Sequence, residues 1–352
     1  MNFTYDQDQE ALANHARRLF EDASSWEIVK SAEPLGFSAE LWALVCQTGL
    51  CGISVEEWSG GQGGSLLDAA IVVEEAGRHG VPVPIVEQIV VGRLASHLRS
   101  IPAETAEAIA TGAVIGTIAL EPAEAGLWRF VPAGALAEVV CGLLGESLVM
   151  VVEEPPMSAI PNLACSPIAH RDSLDSESVG LKRDLMRALD EWRLLTAAEL
   201  VGIAEASLWM GVDYANERRQ FGHPIGWYQA IQHPLAEQVA PIDAARLLVA
   251  KAAWACDRCS ADRSLLATMA FVAAGKAARR ASSVSMHCHG GYGVMAEHHI
   301  QLLYRRAVGW SLIAGDPINH LLYVAECLYD PVQTRVGELW DRGADHEESL
   351  AL

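Results

Sequence analysis

The sequence predicts a mostly α protein with a small β-domain in the middle of the chain and a helical bundle after it. Apolar residues recur at three- and four-residue spacing through the first third of the chain, and again from Leu181 onward. Between these regions, from Val114 to about Ala169, the texture changes to β-branched, alternating runs broken by Pro122, Pro132, Pro155, Pro156, Pro161 and Pro167. The helical signals of the last part are also much longer than those of the first. Three regions and a tail follow: residues 1–112 helical, 113–172 a reduced β-domain, 173–330 a helical bundle, and 331–352 a polar, partly loose tail.

The first region carries helical spacing over Gln7–Asp22, Ala39–Thr48, Leu66–Arg78 and Pro84–Leu98. Trp58-Ser-Gly-Gly-Gln-Gly-Gly64 interrupts it; no GK[ST] follows and no strand leads in, so both nucleotide-loop motifs fail and a flexible turn is expected. In the middle region Val114–Leu120, Val139–Leu144 and Ser147–Val152 read as strands. The bundle is expected from Asp184–Arg218, Tyr228–Cys259, Ser264–His287 and His298–Ile313. Pro234 and Pro241 each remove an intrahelical donor, so they should kink or split the second of these.

With 25 Lys+Arg against 45 Asp+Glu the formal net charge is −20. Such a chain repels polyanions, which argues against nucleic acid and anionic membrane surfaces as partners, yet one Arg or one helix N-terminus still suffices for a phosphate-bearing cofactor. The stretch Met1–Arg18 is polar and amphipathic, and no uninterrupted apolar run approaches the about 18 residues of a membrane span. Eight scattered cysteines suit a reducing compartment, so a cytoplasmic protein is expected. Cys256-Asp-Arg-Cys259 is formally a CxxC, but it lacks the second pair that zinc needs, and buried thiols are the expected reading.

Two stretches carry a resemblance. Tyr214-Ala-Asn-Glu-Arg-Arg-Gln-Phe-Gly-His-Pro-Ile225, followed by Tyr228-Gln-Ala-Ile-Gln-His233, resembles the R-x-x-F-G-x-P-I and Q-A-I-Q signature of the acyl-CoA dehydrogenases. Cys288-His-Gly-Gly-Tyr-Gly-Val294, with His298–Asp316 and Tyr304-Arg-Arg306, looks like that family's H-G-G-Y-G turn and closing helix. Glu57–Gly64, Asp68–Pro84 and Glu74-Glu-Ala-Gly-Arg78 match as well, in the family's order. The resemblance implies a helical domain, a β-domain and a C-terminal four-helix bundle, assembled as dimers of dimers around FAD. It further implies that Arg218, Gln220, Phe221, Gln229, His287, Gly290 and Gly291 contact the dinucleotide of a neighbouring subunit's flavin. Most relatives have Gln at position 287. The chemistry of these residues agrees: a guanidinium fork suits a pyrophosphate, and glycines let backbone N–H groups approach one.

In the family a carboxylate takes the α-proton of an acyl thioester while the β-hydrogen leaves as hydride to the flavin, so the base needs both reach and a suitable pKa. Its usual place, the Glu of an E-G-T triplet, falls on Ala314-Gly-Asp316; the alternative place, before an Arg on the preceding long helix, falls on Trp192. Neither residue ionises, so no catalytic residue is assigned. Glu191 lies about 100° round the helix from Trp192, and Asp316 lies two residues past Ala314, so both should point elsewhere. The stretch Ile118-Ala-Leu-Glu-Pro-Ala-Glu-Ala-Gly126 also departs from the family's flavin-ring segment. These features resemble the short, base-lacking subunit of heterotetrameric, steroid-type acyl-CoA dehydrogenases. That resemblance implies an α2β2 partner subunit that supplies the Glu, a shared FAD, a bulky and possibly steroid-side-chain acyl-CoA, and an electron-transfer flavoprotein or similar acceptor. Asp190 and Arg193 match residues near the thioester, or else form a helix-surface ion pair at three-residue spacing. Two alternatives stand beside this reading: flavin-free thioester elimination or hydration, and a non-catalytic scaffold. His287, Cys288, His289, His298 and His299 are a further candidate as metal ligands; adjacent His and Cys diverge on a turn, so no metal is expected.

Overall fold

The computed structural model describes residues 3–329. The first region holds α1 (Gln7–Ala23), α2 (Trp26–Ser31), α3 (Ala39–Gln47), α4 (Leu66–Arg78), α5 (Ile85–His97) and α6 (Ala103–Ala110). The β layer follows with β1 (Gly116–Ile118), β2 (Leu127–Val131), β3 (Val139–Leu144), β4 (Ser147–Val152), β5 (Ala169–Asp172) and β6 (Glu177–Leu181). Next come α7 (Lys182–Glu217), the hairpin strands β7 (Arg219–Gln220) and β8 (His223–Pro224), α8 (Gln229–Ala236), α9 (Val239–Asp257), α10 (Arg263–His289), α11 (Ile300–Leu312) and α12 (Pro317–Tyr329).

Local chemistry explains several boundaries. Asp6 and Ser65 form capping boxes at the starts of α1 and α4, and Ser25 and Ser38 cap α2 and α3. The two prolines split the expected Tyr228–Cys259 helix: α8 contains Pro234, while Pro241 sits in the first turn of α9, where its missing N–H costs nothing. The glycine-rich segment, expected as a flexible turn, is instead pinned. Its Gln62, Gly63 and Gly64 N–H groups donate to the carbonyls of Gly52, Val55 and Ile53 at 2.8–2.9 Å. A Cβ on Gly61 would stand 2.1 Å from the Val55 carbonyl oxygen, so glycine there serves close approach.

β1, β3, β4 and β6 form one sheet in that order, β1 parallel to β3 and the rest antiparallel; β2 and β5 pair separately. The sheet therefore runs past the 172 boundary to Leu181. Trp128 of β2 packs over Gly142 of β3, where any Cβ would stand 2.5 Å from the indole, and donates to the Leu143 carbonyl at 3.0 Å. Ala119, Val131, Val140, Val149 and Val151 complete a core separate from the main one.

The main core centres on α7, a 36-residue helix flanked by α4, α5, α9, α10 and α11. By length and composition it could cross a bilayer, yet 72% of its apolar window is packed inside protein. Its crossing with α4 is backbone against backbone. A Cβ on Gly202 would lie 2.0 Å from the Glu74 carbonyl oxygen, and one on Gly77 would lie 2.1 Å from that of Glu199. The tail 331–352 falls outside the described residues.

Gly202→Ala adds a methyl group where no space exists, so the helices must separate. We expect a net loss of about 1–3 kcal/mol and a melting temperature several degrees lower, read by thermal unfolding.

Candidate functional site

Two sets of residues are built from the ends and the middle of α7. At its end, the chain leaves the helix at Arg218 (φ −69°, ψ 124°) and enters the β7–β8 hairpin, with Arg219 opposite Pro224 and Gln220 opposite His223. The two turn residues, Phe221 (φ 51°) and Gly222 (φ 88°), both lie in the left-handed region, as a two-residue hairpin of primed type demands. For a Phe that conformation is strained, and it holds the ring 90% exposed. The Ile225 N–H donates to the Arg218 carbonyl at 2.8 Å, and the Tyr228 hydroxyl donates to the Gln220 carbonyl at 3.1 Å, which fix the hairpin against α8.

The second stretch arrives alongside. Tyr214 of α7 stacks on His289 of α10 with ring centroids 4.1 Å apart, so the two sequence motifs meet in space. Arg218, Gln220, Phe221, Gln229, His287, Gly290 and Gly291 are all exposed. A Cβ built on Gly290 or Gly291 meets nothing within 4 Å, and no ion pair engages the Arg218 guanidinium among the described residues. A cation, amide groups and an open glycine turn facing outward fit the pyrophosphate and adenosine side of a dinucleotide held against another chain.

In the first third of α7 the acidic residues are already engaged. Asp190, 1% exposed, accepts from Ser264 Oγ at 2.5 Å and from Arg193 at 3.2 Å, with Arg263 3.5 Å away. The ion pair at three-residue spacing is thus present, with Asp190 buried and Arg193 20% exposed; burial raises the Asp190 pKa despite its cations. Glu191 pairs with Arg93 at 2.9 Å and Arg187 at 3.4 Å, and Arg93 also donates to the Ser54 carbonyl at 2.6 Å. Asp316 is exposed and caps the start of α12 through Ile318 N–H at 2.9 Å. Both carboxylates considered as replacement bases are thus committed to structure. Ala314 and Trp192 stand where the resemblance implies a base; the Trp192 indole donates to Glu87 at 3.2 Å and its ring packs 5.9 Å from that of Phe271.

Beside Ala314 lies a cavity of about 650 Å³, walled by β-domain residues such as Leu120, Phe130 and Leu163 and by Trp310, Ile313 and Gly315. Behind it sits a second one of about 60 Å³ that contains Glu87, Trp192, Thr196, Glu199 and Arg306. Glu87 and Glu199 were not singled out from the sequence, and Arg306 was quoted only within the Tyr304-Arg-Arg306 motif. The available signal was a lone carboxylate, Glu199, inside the apolar run Leu194–Ala204.

The histidines do not converge on an ion site: no group of three His, Cys, Asp or Glu residues is placed to hold a metal among the described residues. His289 bonds the Ser285 carbonyl through Nδ1 at 2.7 Å and meets the His298 ring at 4.2 Å, while His299 stacks on Trp26 at 5.8 Å. Cys256 is buried as expected, whereas Cys259, just past the end of α9, is exposed, which corrects the expectation of two buried thiols.

The chain is similar to known proteins along most of its length. Residues 6–98 match the family description "Acyl-CoA dehydrogenase, N-terminal domain" and residues 180–327 match "Acyl-CoA dehydrogenase, C-terminal domain". The chain is 32% identical over 330 residues to the acyl-CoA dehydrogenase IpdE2 of Mycolicibacterium smegmatis, covering 90% of this chain and 97% of that protein. Among solved structures, the ChsE4-ChsE5 complex from Mycobacterium tuberculosis superposes with a TM-score of 0.85 at 21% identity, over 93% of this chain and 99% of the other. A variant of the Tcur3481-Tcur3483 steroid ACAD gives 0.79 at 24% identity, over 96% and 99%.

The histidine contacts carry a pH dependence. Burial, then the neighbouring His289 and His299, lower the His298 pKa to about 4, and burial lowers that of His289. Both are neutral in the native state, while the unfolded chain takes up their protons near pH 6.5. Their contribution is complete above about pH 6.5 and declines as the pH falls toward 4. We expect the melting temperature to drop in that window and His298→Gln to flatten the drop, measured by thermal unfolding against pH.

Proposed function

Since the chain belongs to the acyl-CoA dehydrogenase family, oxidoreductases acting on the CH–CH bond of acyl-CoA, we propose that it is the subunit lacking a base in a heteromeric enzyme of that family. The observation that carries this reading is the pairing of a disarmed centre with an open nucleotide edge. Ala314 and Trp192 cannot accept a proton, and Glu191 and Asp316 are held by Arg93, Arg187 and the α12 cap. Meanwhile Arg218, Gln220, Phe221, Gln229, His287, Gly290 and Gly291 face outward, open to a ligand held against another chain.

Burial statistics of the single chain support a partner. The apolar helix α12 contains no buried residue, and Ile318, Leu321 and Leu322 are 47–54% exposed. Trp209, Trp227, Val239 and Leu247 are likewise 49–68% exposed on the bundle. A surface with so much uncovered apolar area is that of a protomer rather than a finished monomer.

In this reading FAD lies at the interface and, when bound, supplies the acceptor for the β-hydrogen. This chain's part is to bind and orient: Arg218 pairs with the pyrophosphate, Gly290 and Gly291 bring backbone N–H groups to it, and Gln220, Phe221, Gln229 and His287 frame the adenosine side. Asp190 and Arg193 border the thioester end. The longer partner supplies the carboxylate that removes the α-proton, in an α2β2 assembly that passes electrons to an electron-transfer flavoprotein or similar acceptor. A bulky, steroid-type acyl-CoA is the proposed substrate, in keeping with the similarity to a structure described as a steroid ACAD.

Co-expression with a longer family member that retains the Glu should yield a yellow, active complex, whereas the chain purified alone should retain little flavin. Within the complex, Arg218→Ala should weaken flavin binding by about ten- to a hundredfold, the worth of a charge-assisted contact. Unchanged flavin affinity would leave the chain a scaffold.

A further inference from the structure

Of the eight cysteines, two lie against each other. Cys46, in the last turn of α3, and Cys51, in the short turn Leu50–Gly52, place their sulfurs 3.6 Å apart. No other two thiols come within hydrogen-bond distance among the described residues. One left-handed residue brings them together. Gly49 (φ 74°) reverses the chain after α3, its N–H donating to the Cys46 carbonyl at 3.0 Å and its carbonyl accepting from the Gly52 N–H at 3.1 Å.

The surroundings are shaped around the two sulfurs. A Cβ on Gly112 (φ 76°) would stand 2.4 Å from Cys46 Sγ and 3.1 Å from Cys51 Sγ, so glycine there leaves them room. In its thiol form Cys46 donates to the Gly112 carbonyl at 3.6 Å. Gly52, next to Cys51, lies against the Ala110 carbonyl oxygen, which a Cβ would meet at 2.7 Å, and its own carbonyl accepts from the Gln62 N–H at 2.9 Å. The turn is thus anchored to the end of α6 on one side and to the glycine-rich segment on the other.

The two thiols are chemically unequal. Cys51 is fully buried, whereas Cys46 is partly exposed and within reach of a small solute. The hydrogen bond between them, then burial, pushes the Cys51 pKa up. The same hydrogen bond is the largest influence on Cys46 and lowers its pKa, against burial, which raises it. The last turn of α3 is a negative helix pole, so the Cys51 contact, not the helix, favours a Cys46 thiolate.

We propose that Cys46 and Cys51 form a peroxide-reactive dithiol, in which Cys46 attacks the oxidant and Cys51 resolves the product into a disulfide. The Cys46 thiolate takes an oxygen from hydrogen peroxide: a sulfur–oxygen bond forms, the oxygen–oxygen bond breaks, and the departing hydroxide takes a proton from solvent. Cys51 then attacks the resulting sulfenic acid; the sulfur–sulfur bond forms, the sulfur–oxygen bond breaks, and the hydroxyl leaves with the Cys51 proton as water. In sum, two thiols give up two electrons and two protons, and one peroxide becomes two waters. The sulfurs close from 3.6 Å to about 2.05 Å, an approach of about 1.5 Å that frees the Gly112 carbonyl. A resolving thiol already in contact captures the sulfenic acid before a second peroxide carries it to the irreversible sulfinic acid. This chemistry requires neither flavin nor turnover, so it stands apart from the family reading.

Both thiols fall in one tryptic fragment, residues 31–78, because no Lys or Arg lies between Lys30 and Arg78. The reduced full-length chain is exposed to a slight excess of hydrogen peroxide, alkylated, digested and weighed by mass spectrometry. Fragment 31–78 should lose both alkylation sites, weigh two hydrogen atoms less than the free dithiol, and recover both sites after dithiothreitol. Cys51→Ser should instead leave a Cys46 sulfenic acid that dimedone traps and that excess peroxide converts to sulfinic acid, and Cys46→Ser should leave Cys51 unoxidised. Two alkylatable thiols in fragment 31–78, at a peroxide concentration that oxidises the exposed Cys259, would overturn the proposal. So would a disulfide joining Cys46 to any other cysteine. The native-chain measurement decides even where a variant fails to fold.

Discussion

The contact between α4 and α7 at Gly77 and Gly202 governs the layout of the whole molecule. Two helix backbones approach until each glycine faces the other helix's carbonyl oxygens, with no room for a methyl group on either side. That closeness places α7 in the middle of the main core, so a single helix carries the buried Asp190 and Glu191 near one end, Glu199 in the middle and the Arg218 turn at the other end. Ion pairs then lock the crossing: Arg78 and Arg246 both engage Glu74 and Glu205, which joins α4, α7 and α9. Because part of this network is desolvated, its value lies in fixing geometry more than in net stability.

Electrostatic commitment distinguishes this chain's centre from one able to abstract a proton. A general base needs a carboxylate whose charge is free to act on a ligand. Here Glu191 shares two guanidinium groups, Asp190 is surrounded by two arginines and a serine, and Asp316 closes a helix end. Glu87 and Glu199 remain uncommitted to cations at hydrogen-bond distance, but burial shifts both toward their neutral forms. Burial therefore favours, in each, the form that holds its proton.

Much of the fold was legible in the sequence because burial and periodicity coincide there. Leu66–Arg78, Val139–Leu144 and Ser147–Val152 have the bounds that the sequence pattern indicates, since each is an apolar run buried along most of its length. Helix α12 was not legible: none of its residues is fully buried within this chain, and Pro317 reads as a stop when it is an N-terminal residue of the helix. β6 escaped because it is a short strand at the sheet's edge, recognisable only from its partner β4. The candidate nucleotide edge stood out as a local motif, with Arg218 to Gln229 and His287 to Gly291 each contiguous. Glu87, Glu199 and Arg306 could not, since they are separated by more than a hundred residues each and acquire meaning only when α5, α7 and α11 converge.

The strained turn at Phe221 links the fold to its assembly. A two-residue hairpin with both φ angles positive is easily made by Asn-Gly, and a Phe in its first position costs conformational energy. The ring gains nothing inside this chain in return, because it projects into open space. Exposing an aromatic side chain on a strained backbone is unfavourable twice over for an isolated protomer. It becomes favourable once a surface covers the ring, since burying it against a partner or an adenine recovers apolar area and the rigid hairpin has already given up its freedom. The uncovered face of α12 follows the same logic on another side of the bundle. Both features place the missing stabilisation outside the polypeptide.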